Sequence, residues 1–350
     1  MSVSTIDRYD IGESYEWNYQ HAPDATPSNE SVPAVPGNWT FCGLPIASPL
    51  GMPAGPLLNS RWIHYYAALG FDVLTYKTVR SRFRASYDPP NLLPVDASAV
   101  LSGEGSELTE APPGAAIASW AISFGMPSRD PAEWRADVEK SRQGLGANQV
   151  LSVSVVASPE PGWTMRQLAD DFAQCADWAA DSGAHVVEAN LSCPNVCTSE
   201  ADLYLSADAA GEIASMVRAR LPRAVPLALK IGLFHNEEQA AAVLQAVSPF
   251  AQAVSSTNSI TAVVRGRFGG LRRGVGGAAT TARCHTELAM LARIVRESGS
   301  PLELIGVGGV MTAQDVRDRL AAGASHVHLA TAPMIDPMIG LRIRRELAAI

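Results

Sequence analysis

The chain has 350 residues, 47% of them hydrophobic and 18% charged, and carries a formal net charge of −8. That balance describes a globular protein with a large core and excludes a disordered chain. An acidic chain without a Lys/Arg run excludes the usual basic nucleic-acid surface. Five cysteines at irregular spacings make no disulfide framework, so the expected compartment is a reducing cytoplasm, and no stretch has the apolar length of a membrane span.

Residues 1–37 are acidic and rich in Ser, Pro and Asn, without the apolar core of a signal peptide. They read as a loosely ordered arm, with Trp17 and Tyr19 available to pin it to the body or to a neighbouring subunit. From residue 38 a β/α alternation sets in. Short apolar runs near Pro53 and at residues 73–76, 150–155, 186–189, 227–231, 251–256, 302–307 and 327–330 read as buried parallel strands. Amphipathic segments at 60–69, 165–182, 209–221, 237–247, 284–298 and 313–322 lie between them, and 337–347 closes the ring. Eight strands with helical returns predict a (β/α)8 TIM barrel over residues 38–350. No G-x-G-x-x-G follows the first strand, which argues against a dinucleotide fold. Residues 78–148 interrupt the pattern with several prolines and a helix near 131–143. An insertion that long reads as a cap, serving as a lid or an oligomer contact.

In a barrel the active site gathers where the strands end. Those ends supply Ala54-Gly55, Lys77, Asn190, Lys230, Asn258-Ser259, Gly308-Gly309 and Ala330-Thr331. A lysine closing a buried strand requires an anion or an acceptor, although either one alone could snorkel to the rim. The run Ile305-Gly-Val-Gly-Gly309 and the pair Ala330-Thr331, each followed by a helix, fit a barrel phosphate site. Gly274-Val-Gly-Gly277 adds a third glycine-rich element. The densest chemistry lies in His185-Val-Val-Glu-Ala-Asn-Leu-Ser-Cys-Pro-Asn-Val196, a strand that ends in two carboxamides and a thiol. Cys193 and Cys197 form a C-x3-C pair with no second pair beside it, so no metal site is expected.

Asn190-Leu-Ser-Cys-Pro-Asn195 resembles the active-site signature of the dihydroorotate dehydrogenase family, in its soluble class with a cysteine base. It is also similar to the pyrimidine-reducing domain of dihydropyrimidine dehydrogenase. The resemblance runs from about Phe41 to the C-terminus. It implies FMN held by Ala54, Gly55, Lys77, Asn190, Lys230, Gly276, Gly277, Gly308, Gly309, Ala330 and Thr331. It implies a small-molecule substrate met by Lys77, Asn190, Asn195, Asn258 and Ser259, with Cys193 as the base and Lys77 at the catalytic centre. A homodimer is implied as well, and the hydrophobic anchor of quinone-linked members is not read in this chain. The reaction implied is oxidation of a CH–CH bond, dihydroorotate to orotate in type, with the flavin taking the hydride. A fixed ammonium stabilises the negative charge that develops on a reduced flavin.

Two departures stand out. Arg272-Arg273 lengthen the loop before the Gly276-Gly277 pair by two residues. Where the family carries Asn-Ser-x-Gly-x-Pro in the cap, this chain reads Ile122-Ser-Phe-Gly-Met-Pro127. An altered substrate follows as an expectation: a different cyclic amide or an amino-acid-derived compound, in a specialised biosynthetic pathway. Two other readings compete, a barrel lyase or isomerase using Lys230 on a phosphorylated substrate, and a flavin-binding relic. Elsewhere, His326-x-His328 reads as burial, Trp120 as packing, and Arg80, Arg82 and Arg84 either as a solvated edge or as a greeting for an anionic substrate.

Overall fold

The computed structural model describes residues 8–24, 31–96, 101, 106–192 and 202–349. In chain order, a short helix α1 (Tyr15–Gln20) precedes a hairpin of β1 (Trp39–Phe41) and β2 (Leu44–Ile46). Strand β3 (Leu50–Met52), helix α2 (Ser60–Ala68) and strand β4 (Val73–Val79) follow. The insertion then contributes β5 (Leu92–Pro94), β6 (Glu107–Leu108), β7 (Ser119–Ile122) and helix α3 (Pro131–Gln143). Alternation is regular through β8 (Val150–Val155), α4 (Met165–Asp181), β9 (Val186–Asn190), α5 (Ala207–Arg220), β10 (Leu227–Ile231), α6 (Glu237–Val247) and β11 (Ala253–Ser256). A second excursion, β12 (Ile260–Val264) and β13 (Leu271–Gly277), leads into α7 (Thr281–Ser298). The chain ends with β14 (Glu303–Val307), α8 (Ala313–Ala321), β15 (His326–His328), α9 (Thr331–Ile335) and α10 (Ile339–Ala348).

Strands β3, β4, β8, β9, β10, β11, β14 and β15 close in that order into a parallel barrel. The fold is the expected TIM barrel. Buried runs such as Val-Leu-Ser-Val-Ser-Val in β8 suit strands covered on both faces, where little polar alternation is needed. The helices start where the sequence supplies caps: Asn59 for α2, Thr164 with Gln167 for α4, Asn236 for α6 and Thr312 with Asp315 for α8. The β1–β2 hairpin plugs the N-terminal mouth. Phe41 and Ile46 pack there on Val73, Val150, Val186 and Ala253, which face inward from the lowest barrel layer.

The cap is the main revision to the sequence reading. Residues 78–148 do not form it alone. Strands β5, β6 and β7 join β12 and β13 in one five-stranded sheet of order β5-β7-β13-β12-β6. Thus Gly274–Gly277, expected as a phosphate loop, form one end of a cap strand, with Gly276 opposite Trp120 and Gly274 opposite Ile122. The first barrel strand is Leu50–Met52, just before the Pro53 position expected.

The described part of the arm is also better seated than its composition implied. Tyr9, Tyr15 and Asn18 are buried, whereas Trp17 is exposed and stacks on His21. The Trp62 indole donates to Asn18 O at 3.0 Å, and the Tyr15 ring meets Phe124 edge-on at 6.0 Å. Tyr19 contributes through Arg129, whose guanidinium lies 4.1 Å from its ring centre. Among the described residues, no helix is long and apolar enough to cross a membrane.

Candidate active site

A cleft opens between the C-terminal ends of the barrel strands and the cap. Its lining brings together thirteen of the residues singled out in the sequence: Ala54, Gly55, Lys77, Asn190, Lys230, Asn258, Ser259, Gly276, Gly277, Gly308, Gly309, Ala330 and Thr331. Cys193 and Asn195 lie outside the described residues. Chain separations of up to 277 residues collapse here because a parallel barrel sends every strand end to one side.

Each polar group is placed by its strand. The β4–β8 ladder shifts register between Tyr76 and Val79, an irregularity at the position where Lys77 enters the cleft. Asn190 and Lys230 are register partners across β9 and β10, so a carboxamide and an ammonium stand side by side. Both lysines and Asn190 are almost wholly buried. Asn190 Oδ1 accepts from the Ser192 amide at 3.2 Å, and its Nδ2 lies 3.7 Å from Met126 Sδ. Asn258 donates to Ser192 O at 2.5 Å and accepts from the Ser259 amide at 2.9 Å. Together the two asparagines hold the chain at Ser192, immediately before Cys193.

The glycines form a cradle at the other end. Gly277, Gly308 and Gly309 have φ of 99°, 101° and 73°, a region that side chains rarely adopt. A Cβ on Gly309 would sit 2.4 Å from Thr281 Cα, and one on Gly277 would sit 2.3 Å from Ala118 O. Arg319 donates to Gly308 O at 2.8 Å, and the Thr281 hydroxyl donates to Gly309 O at 2.7 Å. With those carbonyls drawn away, planarity of the peptide turns the following N–H groups in the opposite direction. A Cβ on Gly276 would meet only Thr331 Oγ1 at 3.4 Å and Ile122 Cδ1 at 3.8 Å, so the space that this glycine leaves belongs to the cleft. Such a cradle suits a phosphate.

Below the cleft the barrel interior is polar. Glu188 is buried beside Lys230 and hydrogen-bonds Ser154, and its Oε1 has no partner among the described residues. Burial pushes its carboxyl above the ordinary range, against the pull of Lys230 and Ser154. His328, which lines the floor, is held neutral by burial first, then by His326 and Lys230. Neither ring nitrogen of His328 has a protein partner among the described residues. The expected burial of both histidines is observed. No group of three His, Cys, Asp or Glu able to hold a metal occurs among the described residues.

Sequence reasoning missed the cap wall. Leu92, Trp120, Phe124 and Met126 line the cleft beside Ile122. Trp120, Ile122, Phe124 and Met126 fall on alternate residues, a period-two signal that was legible in the sequence. The arginine trio divides differently from either expectation. Arg80 is fully buried and holds the cap from behind, donating to Met126 O at 3.1 Å and Ala157 O at 2.5 Å. Arg82 pairs with Glu160 on the exterior.

The model of the family described as dihydroorotate dehydrogenase matches residues 132–350. The chain belongs to the dihydroorotate dehydrogenase family. A curated dihydroorotate dehydrogenase from Dictyostelium discoideum is 30% identical over 364 residues, covering 95% of each chain. A dihydroorotate dehydrogenase (quinone) from Paraburkholderia xenovorans strain LB400 is 26% identical over 315 residues, covering 86% of this chain and 82% of its own. Among solved structures, the ligand-free dihydroorotate dehydrogenase of Eimeria tenella superposes with a TM-score of 0.74 at 17% identity. That match covers 95% of this chain and 91% of the other and supports the fold alone.

Proposed function

We propose that this dihydroorotate dehydrogenase family member is an FMN-dependent oxidoreductase that oxidises a CH–CH bond in a dihydropyrimidine-like cyclic amide. One observation carries the reading: two buried lysines, two asparagines and a glycine cradle, drawn from six barrel strand ends and the cap, converge on one cleft. The residues present fit FMN. The cradle of Gly276, Gly277, Gly308, Gly309 and Thr331 suits its phosphate, and Lys77 and Lys230 suit the electron-accepting edge of its ring. Ala54, Gly55 and Ala330 are small enough to let a flat ring lie close. When bound, FMN supplies a two-electron acceptor for hydride.

The chain's own residues do the rest. Asn190, with Asn195 and Asn258, orients the ring of the substrate, while Lys77 lies at the junction of substrate and cofactor. Cys193, as thiolate, removes the proton from one carbon as hydride leaves the other, so the C–C single bond becomes a double bond. A free thiol is mostly protonated near neutrality, so this role requires Lys77, Lys230 or the flavin site to favour the ionised form of Cys193. The apolar cap side chains that line the cleft, Leu92, Trp120, Ile122, Phe124 and Met126, help exclude water from it.

Purified protein is expected to be yellow or to become so on reconstitution with FMN. Cys193→Ala is expected to stay yellow and to lose flavin reduction by substrate. Colourless protein that cannot be reconstituted overturns the cofactor, and unimpaired reduction by Cys193→Ala overturns the base.

A further inference from the structure

The described insertion sends five side chains into the cleft, Leu92, Trp120, Ile122, Phe124 and Met126, and all five are apolar. Four of them are buried even in the open cleft. Ile122 is partly exposed, and so is the cap side chain within a ligand's reach. It stands midway along the alternating row, between Trp120 and Phe124, and its Cδ1 lies 3.8 Å from where a Gly276 Cβ would sit.

On the barrel side the polar groups are few and partly spent. Asn258 uses its Nδ2 on Ser192 and its Oδ1 on Ser259. Asn190 keeps its Nδ2 for a ligand, because a thioether sulfur is only a weak acceptor. The charged groups among the described lining residues are Lys77 and Lys230, both cationic. The cleft therefore offers positive charge and amide recognition along one edge and hydrocarbon along the other.

A ring carrying heteroatoms on nearly every edge, as orotate does, would bury unpaired polar groups against Ile122. Each such group weakens binding about tenfold or more. An alkyl substituent in the same place would instead bury apolar surface. We infer that the substrate is an anionic cyclic amide bearing a hydrocarbon substituent on the edge that faces the cap, with Ile122 as the residue that selects it. This inference rests on the flavin reading above and narrows its substrate class.

The test uses protein first shown by absorbance to hold FMN; failure to load counts against the cofactor and leaves the selectivity of the cap a separate question. Binding is followed by perturbation of the flavin spectrum, with orotate and with orotates propylated in turn at N1, N3 and C5. One propylated member is expected to bind wild type at least tenfold tighter than orotate. Ile122→Asn, which puts a carboxamide on the cap, is expected to reduce that preference at least tenfold, while Ile122→Val preserves it. Should the Asn variant not fold, Ile122→Thr keeps the β-branch and is expected to shift the ratio in the same direction. Orotate binding as tightly as every propylated member, or a ratio unmoved by the polar variant, overturns the inference.

Discussion

Asn91 Oδ1 accepts the backbone N–H of Tyr15 at 2.8 Å, although the two residues lie 76 positions apart. The same carboxamide donates to Tyr87 O at 2.9 Å and Ser123 O at 3.0 Å. One side chain thus joins the N-terminal helix to the cap segment that carries Phe124. Asn91→Ala leaves the buried Tyr15 N–H and Ser123 O short of a partner, at about 1 kcal/mol or more each, and removes one of two donors from Tyr87 O. The expected loss is roughly 2–4 kcal/mol in a urea titration. A loss below about 0.5 kcal/mol would mean that water replaces all three bonds.

Glu188 gives a pH prediction. Its carboxyl is fully buried and its affinity for protons is raised by burial. A raised folded value means that the stability it contributes is complete below the ordinary carboxyl range and is lost as pH climbs through the folded value. Glu188→Gln has nothing to ionise. Its stability relative to wild type is therefore expected to improve as pH rises from 4.5 to 8. A difference that stays flat across that interval would show that the carboxyl is solvated.

His185 has the opposite sign. Burial, with help from Arg142, lowers its imidazole to about 4, and its Nδ1 accepts the Leu151 amide at 2.9 Å. Protonation removes that acceptor. The stabilisation is present above about 6.5 and is lost as pH falls through about 4. The residue is partly exposed, so about 1 kcal/mol is expected after allowing for screening. Thermal melts of wild type and His185→Asn should converge between pH 7.5 and pH 4.

The glycine cradle separates folding from binding. Gly277→Ala places a methyl against Ala118 O and is expected to lower the melting temperature by several degrees. Gly276→Ala meets no backbone and should melt like wild type. Its methyl enters the proposed phosphate space, and FMN retention measured by dialysis should fall tenfold or more. Equal retention would move the phosphate elsewhere.

Much of the barrel could be read from the chain because its signals are local. Residues 237–247 and 131–143 match observed helices end to end, since Asn236 caps one and Pro131 opens the other. Strand ends then supplied the cleft residues directly. The three-residue strand at Leu50–Met52 is centred on Gly51, which must be small because a Cβ there would sit 2.4 Å from the His328 ring. Nothing in that run resembles a β-branched strand. Cap pairing was illegible for a different reason: the partners of Ser119–Ile122 are Gly274–Gly277, and no local pattern encodes a contact across 150 residues. Arg80 was misread because sequence gives charge without depth.

The two-piece cap also constrains how the protein comes into being. During synthesis, Leu92–Pro94 and Ser119–Ile122 leave the ribosome long before Leu271–Gly277 can pair with them. Until then one edge of Ser119–Ile122, including the ring of Trp120, waits for its partner. Chaperone dependence and aggregation during expression should therefore concentrate on this segment, and a graft of residues 78–148 alone onto another barrel would carry the same unprotected edge.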